Sequence, residues 1–198
     1  SLAGTAWLER AETQAVLGSI AGAGYSARVV GGAVRNALSG RPVKDIAIAP
    51  TARPEEVIAL AEAAGLAAVP TGIAHGTVTV IAGHAPFEVT TLREDVETFG
   101  RHARVAFTAD WAADARRRDF TFNALYCDAA GEVSDPLGGY PDLVAGRVRF
   151  IGDAVARIRE DYLRILRFFR FHAEYGHGAV DAVGLAACTR EQAGLQQL

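Results

Sequence analysis

Between Ala27 and Gly40 the chain reads as a short apolar strand, Ala27 to Val30, a glycine pair, Gly31-Gly32, and a helix-compatible stretch, Ala33 to Leu38, which Gly40 closes. A strand that turns on two glycines into a helix lets backbone N–H groups come close to an anion, and the helix start adds a partial positive charge. Taken alone, such a pair is more often a tight turn and nothing else, so its meaning rests on its surroundings.

The surroundings read as a small mixed sheet with helices. Leu8 to Ala21 has helical apolar spacing and stops at Gly22 and Gly24. Asp45 to Ala49 alternates as a second strand, and Pro54 to Ala64 has proline near its first helical position with Glu55 and Glu56 in the first turn. Thr77 to Ala82 and Phe87 to Thr91 are β-branched and aromatic runs around a Gly83 turn, a hairpin pattern. Leu92 to Ala109 has weak periodicity and reads as a loop. Asp110 caps a helix running to the arginine cluster, Leu125 to Asp128 is a short strand, Asp135 to Gly146 is glycine-rich and irregular, and Val148 to Ile151 is a last strand. From Asp153 to about Tyr175 the residues Ile158, Ile165, Leu166 and Phe169 repeat helically, which predicts one long helix. The expected fold class is α+β: an N-terminal helix over 1–24, a head with a mixed β-sheet flanked by helices over 25–146, and the start of an all-α neck over 147–198.

At 198 residues, half of them apolar, the chain can bury a real core. A net charge of −3 excludes a global basic field for nucleic acid, so positive charge is local, in Arg116-Arg117-Arg118 and in Arg157, Arg159, Arg164, Arg167 and Arg170. Cys127 and Cys188 lack zinc-ligand spacing and read as buried, reduced thiols, and the five histidines include no zincin pair. The apolar stretches are too short to span a bilayer and no N-terminal signal is present, which predicts a soluble, cytoplasmic protein without a membrane partner. The lack of any methionine, and a stop at Gln196-Gln197-Leu198 within a helical pattern, suggest a piece trimmed from a longer chain.

The glycine pair continues as Gly31-Gly32-Ala33-Val34-Arg35 and reaches Lys44-Asp45-Ile46-Ala47-Ile48. This resembles the opening motif of class II tRNA nucleotidyltransferases and the related bacterial poly(A) polymerases, in which glycine-glycine and valine-arginine precede a strand carrying Asp-x-Asp. Residues two apart on a strand share a face, so such a strand sets two carboxylates side by side for two divalent cations, which clamp the attacking 3′ oxygen and the triphosphate from which pyrophosphate leaves. The resemblance implies a nucleotidyltransferase-type sheet, Mg2+ as cofactor, Asp45 and Glu88 as catalytic metal ligands, and Gly31, Gly32 and Arg35 at the nucleotide. At the second aspartate position stands Ala47, whose methyl group cannot bind a metal. Three readings stay open: an inactivating substitution in a competent enzyme, a natural pseudoenzyme, or chemistry kept by one metal on Asp45 and another carboxylate.

Two further segments follow in the family's order. Arg117-Arg118-Asp119-Phe120-Thr121-Phe122-Asn123 resembles the motif in which an arginine pair and an aspartate precede Thr-x-Asn. Guanidinium groups suit phosphate oxygens and an aspartate can accept from a ribose hydroxyl, so Arg118, Asp119 and Asn123 are expected at the nucleotide. Asp135 to Leu143 resembles the family's linker between head and neck, with glycines that permit hinge motion. Glu160-Asp161-Tyr162-Leu163-Arg164-Ile165-Leu166-Arg167 resembles the nucleotide-selecting motif, which implies Asp161, Arg164 and Arg167 as base-reading residues.

The selection has a physical basis. Cytosine and adenine each present an amino donor beside a ring-nitrogen acceptor, whereas uracil and guanine present a carbonyl beside an N–H. A carboxylate that only accepts and a guanidinium that only donates therefore fit C and A and mismatch U and G. On one helix Asp161 and Arg164 would reach one ligand edge, and Glu160 would hold Arg164 at i, i+4. The implied function is template-independent addition of CMP and AMP from CTP and ATP to a tRNA 3′ end with release of pyrophosphate, impaired here by Ala47 and by absence of the helical body. The alternatives are a poly(A) polymerase and a non-catalytic nucleotide- or RNA-binding relative.

Overall fold

The computed structural model describes residues 1–99 and 102–198; Gly100, within the expected loop, lies outside the described residues. The chain forms two compact units, one of Ser1–Arg93, Phe107–Trp111 and Leu125–Ser134, the other of Glu94–Ala106, Ala112–Ala124 and Asp135–Leu198. In chain order the elements begin α1 (Ala6–Glu9), α2 (Ala11–Ala21), β1 (Ala27–Val30), α3 (Gly32–Leu38), β2 (Ala47–Pro50), α4 (Pro54–Ala63), β3 (Ala67–Gly72), β4 (Thr77–Ala82) and β5 (Ala85–Thr90). They continue β6 (Arg93–Phe99), β7 (His102–Phe107), α5 (Trp111–Arg116), β8 (Tyr126–Cys127), β9 (Val133–Ser134), α6 (Gly139–Ala145), α7 (Ala154–Glu160), α8 (Leu163–Tyr175) and α9 (Ala182–Arg190).

The first unit is built on a seven-stranded sheet in the order β3-β4-β5-β2-β1-β8-β9. Of the pairings recorded in it only β2 with β5 is parallel, with Ala47 opposite Glu88 and Ile48 opposite Val89. Along β4 and β5 burial alternates as β-sheet side chains must: Val78, Val80, Phe87 and Val89 are buried and pair across the strands. That face is closed by α2 and α4, which contact β4 and bring in Val16, Leu17, Ile20 and Val57. Thr79 and Glu88 alternate to the opposite face. At the end of β1, Gly31 has φ 74°, in the left-handed region that disfavours side chains, and its N–H donates to the Leu125 carbonyl at 3.0 Å.

The second unit has an aromatic core. Phe120 lies 4.9 Å from Phe150 and 5.6 Å from Phe171 between ring centroids, and Phe122 lies 5.7 Å from Tyr175. Phe168 stacks on Phe150, and Ile158 and Ile165 fill the remaining space. Cys127 in the first unit and Cys188 in the second are both free and buried, and burial pushes each thiol up to about 11.

Four expectations are corrected. The region 92–109 carries a two-stranded sheet, β6 with β7, where a loop was expected. Val148 to Ile151 contributes only an isolated bridge, Phe120 to Phe150. The long helix is broken at Asp161, whose φ of −154° is extended; its Oδ1 accepts from the Leu163 N–H at 3.0 Å, a local bond with which a short acidic side chain competes against the helix. The irregular segment 135–146 contains helix α6, because the Asp135 carboxylate accepts from the Gly139 and Tyr140 N–H groups at 2.7 and 2.9 Å and caps its start.

Gly139 is thus a packing residue: a Cβ there would run into the Thr121 carbonyl and the Phe122 amide. Gly139→Ala is expected to lower the unfolding free energy by about 2 kcal/mol, the overpacking range, read as a fall in melting temperature.

Candidate active site

In the first unit the parallel pairing sets Ala47 beside Glu88, and antiparallel pairing sets Thr79 on Glu88's other side, so the three share one face. They line a cavity of about 390 Å³ together with Gly32, Ala33, Asp45 and Pro86. Asp45 is exposed and precedes β2, which starts at Ala47, two residues later than the strand expected from the sequence. The structure therefore brings Asp45, Glu88 and Gly32 to one cavity and places Ala47, the first residue of β2, directly opposite Glu88. The first helical bond of α3 runs from the Arg35 N–H to the Gly31 carbonyl at 2.9 Å, so the amides of Gly32, Ala33 and Val34 precede the hydrogen-bonded turn. Arg35 lies over this start: its Nη2 is 3.4 Å from where a Cβ on Gly32 would be.

In the second unit the expected nucleotide residues form a connected polar network. Asp119 is buried, its Oδ1 accepting from the Phe120 N–H at 2.7 Å and from Asn123 Nδ2 at 3.0 Å, and its Oδ2 from Arg167 Nε at 2.7 Å. Three donors thus already engage the carboxylate assigned from sequence to a ribose, and Arg167 is tied to Asp119. Arg118 Nη2 reaches Asp114 Oδ2 at 3.1 Å, and Arg117 Nε reaches Asp95 Oδ1 at 3.0 Å.

The expected pairing of Glu160 with Arg164 is present, Oε2 accepting from Nη1 at 2.8 Å, and the same Nη1 donates to the Arg157 carbonyl at 2.7 Å. With Nη1 so anchored, Nε and Nη2 of Arg164 have no acceptor among the described residues. Asp161 and Arg164 do not share a helix: the first sits at the junction and the second on the first turn of α8. Sequence reasoning missed Asp95, Asp114 and Arg157. The last two had a signal in their spacing, Asp114 four residues before Arg118 and Arg157 three before Glu160, whereas Asp95 is 22 residues from Arg117 and gave none.

A sheet of this order, with a glycine turn feeding α3 and acids at 45 and 88 on one cavity, defines a nucleotidyltransferase-type head. The profile of the poly A polymerase head domain matches residues 27–149, and the chain belongs to that family. It is 49% identical over 149 residues to the mitochondrial CCA tRNA nucleotidyltransferase 1 of Danio rerio, covering 75% of this chain and 35% of that protein. It is 41% identical over 167 residues to the CCA-adding enzyme of Leuconostoc citreum, covering 83% and 40%. The crystal structure of the Bacillus stearothermophilus CCA-adding enzyme in complex with CTP superposes with a TM-score of 0.84 at 33% identity, over 94% of this chain and 44% of that one. A tRNA nucleotidyltransferase complexed with a primer tRNA and an incoming ATP analog gives 0.75 at 25% identity, over 92% and 52%. The chain thus spans 35% and 40% of the length of the two curated relatives named.

Enzymes of this family and fold generally work with a divalent metal. Among the described residues no group of three His, Cys, Asp or Glu side chains converges to hold one. Asp45 and Glu88 are the carboxylates lining the cavity that could hold a hard cation, and the Ala47 methyl beside them offers no oxygen. No helix among the described residues is long and apolar enough to cross a membrane.

Asp119→Ala would strand three donors at once. The expected loss is about 3 kcal/mol of unfolding free energy, followed by urea denaturation, with Asp119→Asn losing less because its amide oxygen still accepts.

Proposed function

We propose that this chain is the nucleotide-handling part of a CCA-adding enzyme, which transfers CMP and AMP from CTP and ATP to a tRNA 3′ end with release of pyrophosphate. The observation that carries this reading is the state of Arg164: one guanidinium nitrogen is fixed by two acceptors while Nε and Nη2 keep their donors, as a group that reads a base edge requires. Asp161, three residues earlier, supplies the acceptor that completes the match to cytosine and adenine. Arg118 binds phosphate oxygens, and Asn123, together with the second lone pairs of Asp119, takes the ribose hydroxyls. In the first unit the amides at the start of α3, with Arg35 beside them, are suited to phosphate oxygens.

Asp45 and Glu88 would hold Mg2+ through their carboxylates, and the cation would supply charge neutralisation for the leaving pyrophosphate. Ala47 removes the ligand that a two-metal arrangement needs, so this chain binds nucleotide and transfers it poorly. The curated relatives' names and the solved complexes with CTP and with an ATP analog support this reading over ATP-only polymerisation.

Calorimetry with CTP, ATP, UTP and GTP, with and without MgCl2, tests it. CTP and ATP are expected to bind about tenfold or more tightly than UTP and GTP, the scale of one good base-edge pairing, and Ala47→Asp to strengthen the Mg2+-dependent part of CTP binding. Affinity that ignores the base would sink the assignment of Asp161 and Arg164. Binding of ATP without CTP would favour a poly(A) polymerase.

A further inference from the structure

Arg157 stands where three features of the second unit meet. Its Nη2 donates to the carbonyls of both Arg117 and Arg118 at 2.7 Å, and its Nη1 donates to Glu160 Oε2 at 2.6 Å. The carbonyl of the same residue accepts from Arg164 Nη1, and that nitrogen also reaches Glu160 Oε2. A closed circuit results: Arg157 guanidinium, Glu160 carboxylate, Arg164 guanidinium, Arg157 backbone. The side chain is only 11% exposed, and its Nε has no partner among the described residues.

Two carbonyls just beyond a helix end need donors, and an arginine from another element can supply them. That much is capping, of the kind that holds α5 and the segment after it in place. What exceeds capping is the second half of the circuit. Among the described residues Glu160 is the only carboxylate holding Arg164, and Arg157 fixes that carboxylate with the same planar fork that fixes the backbone of the arginine pair. The spacing between residues 117–118 and the open donors of Arg164 is therefore set by one rigid group. Burial, with the neighbouring Arg164 adding to it, pulls the Arg157 guanidinium below its ordinary value; the charge is retained, and what pins the group is the set of acceptors around it.

We propose that Arg157 is a positioning residue for base selection, holding the arginine-pair segment and the base-reading Arg164 at a fixed separation. This rests on the assignment of Asp161 and Arg164 as the base-reading pair. It predicts a specific failure: without the fork, Arg164 keeps its charge and its carboxylate, so nucleotide still binds, but the base edge is no longer presented in register. Discrimination falls further than affinity.

The test uses the chain itself with Arg157→Lys and Arg157→Gln, titrated with CTP and with UTP in MgCl2, alongside thermal melting of each variant. A lysine keeps the charge but cannot span the two carbonyls and Glu160 at once, so both variants are expected to lose roughly tenfold in the CTP-to-UTP affinity ratio, as misplaced binding groups do. CTP affinity itself should change less than that. A ratio unchanged in a folded variant, or full rescue by lysine, overturns the proposal, since charge alone would then suffice. Equal weakening of CTP and UTP overturns it too, and if both variants unfold, Arg157 is structural and the positioning role falls. Lack of CTP preference in the unsubstituted chain would instead remove the base-reading assignment, an outcome distinct from all of these.

Discussion

The parallel pairing of β2 with β5 is the constraint on which the first unit turns. Every neighbouring pairing recorded in that sheet is antiparallel, and parallel neighbours cannot be joined by a tight turn. The chain therefore leaves β2 through α4, β3 and β4 before returning as β5. The detour has two consequences: α4 is carried across the face that buries Val78, Val80, Phe87 and Val89, and position 47 is brought directly beside Glu88, 41 residues later in sequence. One register thus fixes both which side of the sheet is core and which side can carry acids.

The second unit solves a different problem. A phenylalanine-rich core supplies burial and ring-on-ring packing but no hydrogen bonds. Direction comes from polar pins at its border: Asp119 tied to Arg167, Asp142 tied to Thr121 and Arg149, and Arg157 tied to two carbonyls. A buried polar network is costly unless satisfied, and a satisfied one permits few rearrangements. Two of these pins, Asp119 and Arg167, are residues that the family resemblance assigned to ligand contact, and in the structure they are bound to each other.

Much of this was legible in the sequence, and the pattern of the misses is physical. Strands β1, β4 and β5 and helices α2 to α4 announced themselves through apolar periodicity and glycine or proline boundaries, because each has one face on a core. Strand β3 did not, since Pro70 lies within it; as a sheet-edge strand it tolerates a residue without an N–H. The β6–β7 ribbon gave no alternation because a two-stranded sheet lacks a buried face of the usual kind. The break at Asp161 was hidden by continuous helical spacing on both sides; it shows in the extended backbone there and in the side-chain bond to Leu163. Site residues close in sequence, such as Glu160 and Arg164, could be paired by counting. Arg157's reach to residues 40 and 39 positions away could not.

Ala47 shows why fold and chemistry separate so cleanly at this site. A metal cluster needs carboxylates held closer than their mutual repulsion favours, a strain that only the bound cation relieves. Position 47 faces a cavity, partly exposed, and its backbone is fixed by pairing with Val30 on one side and Glu88 on the other. None of those bonds depends on the side chain. A methyl there adds no charge beside Asp45 and Glu88 and leaves the sheet register intact, so the protein keeps the architecture of a nucleotidyltransferase head with no oxygen donor at position 47.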